Sequence, residues 1–166
     1  MQSDYVSSAI NIKGIIPALA VKEFESDSAL EEASPKDVIN LLASVLPEFG
    51  NSGFSYLYDE ASEKLFLELK DLDLKICVSS LNQYNGWTLE SKTDFFLLRT
   101  ALTECKDYSS ETVMQMNESH PHIKLYLKEG VLIVEEPYYT CHGIPVLNLM
   151  DRLSAYLQTL KTLTEN

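Results

Sequence analysis

The stretch His122-Ile123-Lys124-Leu125-Tyr126-Leu127-Lys128-Glu129-Gly130-Val131-Leu132-Ile133-Val134-Glu135-Glu136 decides how this chain is read. On either side of Glu129-Gly130 its side chains repeat with a period of two, and a two-residue loop containing glycine is what a tight hairpin needs. That turn sets the register. Leu127 falls opposite Leu132 and Leu125 opposite Val134, on the face expected to be core. The other face receives Tyr126 opposite Ile133, Lys128 opposite Val131 and Lys124 opposite Glu135. It carries an ion pair but also three apolar side chains, so either another part of the chain covers it or a partner does.

C-terminal to the ribbon, Pro145 suits the first turn of a helix. Val146, Leu149, Met150, Leu153, Tyr156, Leu157 and Leu160 follow at three- and four-residue steps. A helix running to Leu163 is on the order of 28 Å long, enough to cross a sheet of five or six strands.

Upstream, Ser34, Pro35 and Asp37 mark a helix start, and Val38, Ile39, Leu41, Leu42, Val45 and Leu46 give it an apolar face that Pro47 and Gly50 end. After Gly53 the period changes to two. Phe54, Tyr56 and Tyr58 form one strand and Leu65, Leu67 and Leu69 its hairpin partner, across a polar turn at Asp59 to Ser62. Leu72, Leu74, Ile76 and Val78 define a third strand, Asn85-Gly86 a tight turn beside Trp87, and Phe95 to Leu102 a fourth strand. Ser109-Ser110-Glu111 opens a short helix ending near Asn117, with Val113, Met114 and Met116 on its buried side.

These elements make an α+β fold: an antiparallel sheet of five to six strands with an N-terminal helix, a short middle helix and a long C-terminal helix. Residues 34–166 read as a single domain. Residues 1–33 read as an N-terminal extension, in which Ile10, Ile12, Ile15, Ile16 and Leu19 form a segment that docks on the core. Its exposed linker carries Glu23, Glu25, Asp27, Glu31 and Glu32.

The 166 residues suit one core, and 45% hydrophobic with 23% charged residues is a globular composition. A net charge of −12, with Arg99 and Arg152 as the arginines, repels a phosphate backbone. Nucleic acid and anionic membrane are therefore poor partners. Cys77, Cys105 and Cys141 match no disulfide framework, and Asp4 stands where a signal peptide would be basic. A reduced, cytoplasmic protein is the expectation.

No glycine-rich phosphate loop, His-Glu-x-x-His pair, Gly-x-Ser-x-Gly elbow or calcium loop is present in the sequence. His120, His122, Cys141 and His142 flank the ribbon and are the ligand types zinc prefers, but His-x-His and adjacent Cys-His do not have knuckle spacing. Ordinary loop-end histidines and a buried thiol explain them better, and a small metal-dependent enzyme stays as an alternative. Cys141 and His142, neighbours on an extended segment, point to opposite faces and make a poor nucleophile pair. Glu135-Glu136 and Asp71 with Asp73 are uninformative in so acidic a chain. No catalytic residue, metal or cofactor is assigned.

The order from Asn117-Glu118-Ser119-His120-Pro121 through Ile123 to Leu127, Gly130, Val131 to Glu135 and the leucine-rich final helix resembles the YbjN-type bacterial family (sensory transduction regulators) and the structurally related type III secretion chaperones. In those families an asparagine ending a helix precedes a strand, a glycine-containing turn, a second strand and a long helix. Met116-Asn117 stands here where many YbjN-type members have a tryptophan-asparagine pair. The resemblance implies a commonly dimeric α+β fold that binds polypeptide and performs no chemistry. The expected function is a non-catalytic protein-binding module, a YbjN-type regulator or a chaperone for a specific exported protein, with a polypeptide partner or a second copy as ligand. Tyr126, Val131 and Ile133 are the first candidates for contact. Tyr56 and Tyr58 have amphipathic rings that suit protein contacts too, though half-buried sheet positions account for them better.

Overall fold

The computed structural model of the chain describes residues 28–45, 54–69, 73–82, 87–88, 91–102 and 108–165. Its elements in order are β1 (Ala29–Leu30), α1 (Pro35–Val45), β2 (Phe54–Asp59), β3 (Lys64–Leu69), β4 (Leu74–Ser80), β5 (Phe95–Leu102), α2 (Ser110–Ser119), β6 (Lys124–Lys128), β7 (Val131–Tyr139), β8 (Ile144–Pro145) and α3 (Val146–Glu165). The six longer strands form one antiparallel sheet in the order β2-β3-β4-β5-β7-β6, and β1 pairs with β8 separately. The fold is α+β.

The ribbon has the register its turn dictates, from Lys128 opposite Val131 to Lys124 opposite Glu135. Glu129 and Gly130 both have positive φ, 52° and 81°, which is the conformation a two-residue hairpin loop demands. The second strand runs past Glu136 to Tyr139 because β5 continues alongside, pairing Leu97 with Pro137 and Phe95 with Tyr139. Pro137 is tolerated in a central strand because β6 stops opposite Glu135, so no ladder bond is asked of it on that side.

Helix starts follow local chemistry. At α1 the Ser34 hydroxyl accepts from the Asp37 amide at 3.2 Å while Asp37 accepts the Ser34 amide at 2.9 Å, a reciprocal capping box. At α2 Ser109 caps Thr112 in the same position. Val113 is the buried residue of α2, whereas Met114 is 66% exposed and so leaves the expected apolar side. Pro145 does not open α3 but pairs with Ala29 in the short β1–β8 ribbon, and the helix begins one residue later. Leu46, Pro47 and Gly50, the Asn85-Gly86 turn and Cys105 lie outside the described residues.

The expected linker Glu23–Glu32 ends sooner than its charge pattern implies. Ala29 and Leu30 are strand-paired, Ala33 exchanges backbone hydrogen bonds with Thr93 at 2.7 and 2.9 Å, and the Trp87 indole donates to the Ala33 carbonyl at 3.0 Å. Backbone pairing needs no side-chain pattern, so composition did not show it.

One continuous core unites the inner face of the sheet with all three helices. It takes Val38, Leu41 and Leu42 from α1, Val113 from α2, Leu149, Leu153, Tyr156 and Leu160 from α3, and Leu67, Ile76, Leu98, Leu125 and Val134 from the strands. Tyr156 is fully buried there and donates to the Val134 carbonyl at 3.0 Å, accepting in turn from Thr100 at 2.7 Å. Burial pushes its phenol far up, so it stays a neutral donor.

Candidate functional site: the helix-free face of the sheet

Alternation along each strand sends the remaining side chains to the opposite, outer face. Two rows cross it. One runs Leu57, Phe66, Cys77, Arg99, Glu135, Lys124; the other includes Lys64, Ser79, Leu97 and Pro137. Ala101, Ile133 and Tyr126 lie side by side below the first row, and Phe95 meets Tyr139 edge-on at 5.4 Å above the second. Among the described residues no helix packs here, because the buried residues of α1, α2 and α3 belong to the inner core.

The charge of this face is unlike that of the whole chain. Lys64, Lys75, Arg99, Lys124 and Lys128 point outward beside Asp59, Glu68 and Glu135, an excess of cations on a protein of net charge −12. Arg99 donates to Glu135 at 2.7 Å, and Lys124 stands 3.8 Å from the same carboxylate and 5.0 Å from the centre of the Tyr126 ring. Burial, then the Glu135 carboxylate, raises the Tyr126 phenol above its ordinary range, so it remains neutral. A depression of about 440 Å³ opens at one end of the face, between Lys64, Ser79, Leu97 and Arg99.

The candidate contact residues divide. Tyr126 and Val131 are half-buried on the outer face, at the hairpin end of the ribbon. Ile133 shares that face but is fully buried. Tyr56 and Tyr58 lie on the inner face among the core residues, 8% and 9% exposed. Their even-numbered positions in β2 align them with Leu67 and Leu65, and the Tyr58 hydroxyl donates to the Trp87 carbonyl.

Nor do the metal-type residues converge. His120 ends α2, with Nδ1 2.9 Å from the Met116 carbonyl, His122 is exposed, and His142 is an exposed residue with φ of 69° after β7. Among the described residues no three His, Cys, Asp or Glu side chains are grouped to hold a metal ion. Among those residues, too, no helix is long and apolar enough to cross a membrane.

Two features escape sequence reasoning. The Asn117 carboxamide donates to the Leu125 carbonyl at 2.6 Å and accepts the Leu125 amide at 2.8 Å, occupying both backbone groups of a residue on the sheet's edge strand β6. It stands in for a neighbouring strand and blunts that edge at this point. The other is the use of the chain's two arginines on the adjacent glutamates: Arg99 meets Glu135 outside the sheet and Arg152 meets Glu136 inside it. The scarcity of arginine in so acidic a sequence was the available signal.

No family model matches the chain, and no curated protein matches it. Among solved structures, a chain of the HopA1-SchA chaperone-effector complex is similar over 76% of this chain and 94% of that chain, with 14% identity and a TM-score of 0.49.

Proposed function

We propose that this protein is a non-catalytic polypeptide-binding module whose contact surface is the outer face of the sheet. The observation that carries the reading is a helix-free sheet face that combines apolar side chains with an excess of cations on an acidic protein. Such a face suits an apolar segment bearing acidic residues: the apolar rows gain from leaving water, and the lysines favour negative charge and disfavour basic competitors. Tyr126 and Val131 form its accessible end. The reading covers both a chaperone for a specific exported protein and a YbjN-type regulator.

Tyr126→Asp with Val131→Asp puts negative charge where an acidic apolar segment would sit. Co-purification of a partner, or self-association read by solution mass, is expected to be lost while the circular dichroism spectrum stays unchanged. Association and fold both persisting would place the contact surface elsewhere.

A further inference from the structure

We infer that one end of the outer face reads a short spacing in its polypeptide ligand. An acidic side chain sits over Ser79 and, two residues away along an extended segment, an apolar side chain sits over Leu81, Phe95 and Tyr139. The inference rests on the proposed function and assigns the chemistry that this end of the face selects.

The acidic position follows from the order of side chains on β3, β4 and β5. Ser79 lies between Lys64 and Leu97 on the neighbouring strands and is the smallest side chain of that row. It lines the depression of about 440 Å³ together with Lys64 and Arg99. Arg99 stands opposite Cys77, two residues back along β4. The Lys64 and Arg99 backbones are thus about 12 Å apart, a gap that two long side chains close from both sides. Both cations act on one spot: burial pushes the Cys77 thiol up to about 11, and Lys64 and Arg99 oppose that rise.

The acids nearby offset this charge only in part. Asp59 accepts from the Ser62 hydroxyl at 2.6 Å and the Ala61 amide at 3.2 Å, and Glu135 accepts from Arg99 at 2.7 Å. Glu63 lines the depression itself. Two cations matched in this way suit the single charge of a carboxylate and disfavour the nearly double charge of a phosphate.

The apolar position lies one step along the same face. The Leu81 amide donates to the Phe95 carbonyl at 2.8 Å, which carries the β4–β5 ladder one pair further and sets Leu81 beside Phe95, itself edge-on to Tyr139. Leu81 is 39% and Tyr139 55% exposed, two of the four large hydrophobic residues so exposed among the described residues. Ser79 and Leu81 point to the same side of the sheet, about 7 Å apart. A bound extended segment has the same repeat, so its residues i and i+2 meet these two positions while i+1 faces solvent.

The test uses the full chain and a panel of blocked heptapeptides in a serine-glycine background, titrated by nuclear magnetic resonance. Glutamate and leucine stand one, two or three positions apart. The two-position peptide is expected to bind at least about threefold tighter than the other spacings and than its glutamine counterpart. Equal binding across the panel, or none near about 1 mM peptide, overturns the proposal. Lys64→Glu should weaken the two-position peptide by about fivefold and Glu63→Gln should tighten it, with the circular dichroism spectrum unchanged. Unchanged affinity in both overturns it too; if Lys64→Glu does not fold, Glu63→Gln and the panel decide. Loss of partner binding in the Tyr126 and Val131 variant with no spacing preference in the panel would sink this inference and leave the proposed function standing.

Discussion

Glu135 and Glu136 are neighbours with the same chemistry, each pairs with an arginine, and the pleat of β7 sends them to opposite sides of the sheet. On the inner side Glu136 is 1% exposed, accepts the Tyr138 hydroxyl at 2.9 Å and Arg152 at 3.2 Å, and Arg152 also donates to the Pro137 carbonyl at 2.6 Å. Arg152 lies 4.5 Å over the Tyr138 ring, which stacks in parallel on Phe96. On the outer side Glu135 shares Arg99 and Lys124, and Lys124 is 70% exposed. The inner pair clamps a helix to a sheet. The outer pair joins three strands and leaves Lys124 at the surface. A charge pair beneath a helix thus ties helix to sheet, whereas the pair on the helix-free face ties strand to strand within the proposed contact surface.

The largest expected effect is on the inner side. Tyr138→Ala removes the ring between Phe96 and Arg152 and one partner of Glu136, and should cost about 3–5 kcal/mol in urea unfolding. A loss below 1 kcal/mol, far short of that range, would mean that the stack does not anchor α3.

Arg152→Ala should cost about 1–2 kcal/mol at neutral pH, the low end for a buried carboxylate losing its partner because Arg152 is itself 36% exposed. Burial raises the Glu136 carboxyl above its ordinary range, against the opposing pull of the Tyr138 hydroxyl and Arg152. The folded state therefore keeps the Glu136 proton to higher pH than the unfolded chain. Its contribution to stability is fully present below the ordinary carboxylate range and is lost as pH rises through the raised value. Protonated Glu136 needs the guanidinium less, so the cost of Arg152→Ala should shrink in acid. Equal costs at both pH values would show that Arg152 acts by packing on Tyr138 alone.

The smallest effect belongs to the outer side. Lys124→Ala should change stability by less than about 1 kcal/mol, since so exposed a pair is screened. Denaturant midpoints measure this directly, and a larger loss would make the outer network structural rather than a recognition surface.

The sheet's two edges differ as its faces do. At β6 the Asn117 carboxamide satisfies Leu125, whereas among the described residues β2 has β3 as its one neighbour in the sheet. Asn117 was legible as a helix-ending asparagine, but its contact with Leu125 depends on how α2 folds back on β6, which no local pattern encodes.

The elements themselves were largely readable. Strand alternation located β3 and β4, a short apolar run located β5, and serine caps located α1 and α2, because pleat and capping act over a few residues. Site residues were less readable. Tyr56 and Tyr58 alternate as any half-buried strand residues do, and their burial comes from the helices and Trp87 packed on that face. Ile133 was recognised as belonging to the second face, while its complete burial appears only in three dimensions.

The ribbon from His122 to Glu136 was determined by sequence alone, down to each cross-strand pair, because a two-residue turn with positive φ and a period of two leave one register. Which side of that ribbon the helices cover, which of two adjacent glutamates is buried, and where the two arginines go were decided only by tertiary structure. Arg99 precedes Glu135, and Arg152 follows Glu136, at separations far longer than a turn or cap spans. Such partners meet only once strand order and helix placement bring distant segments together.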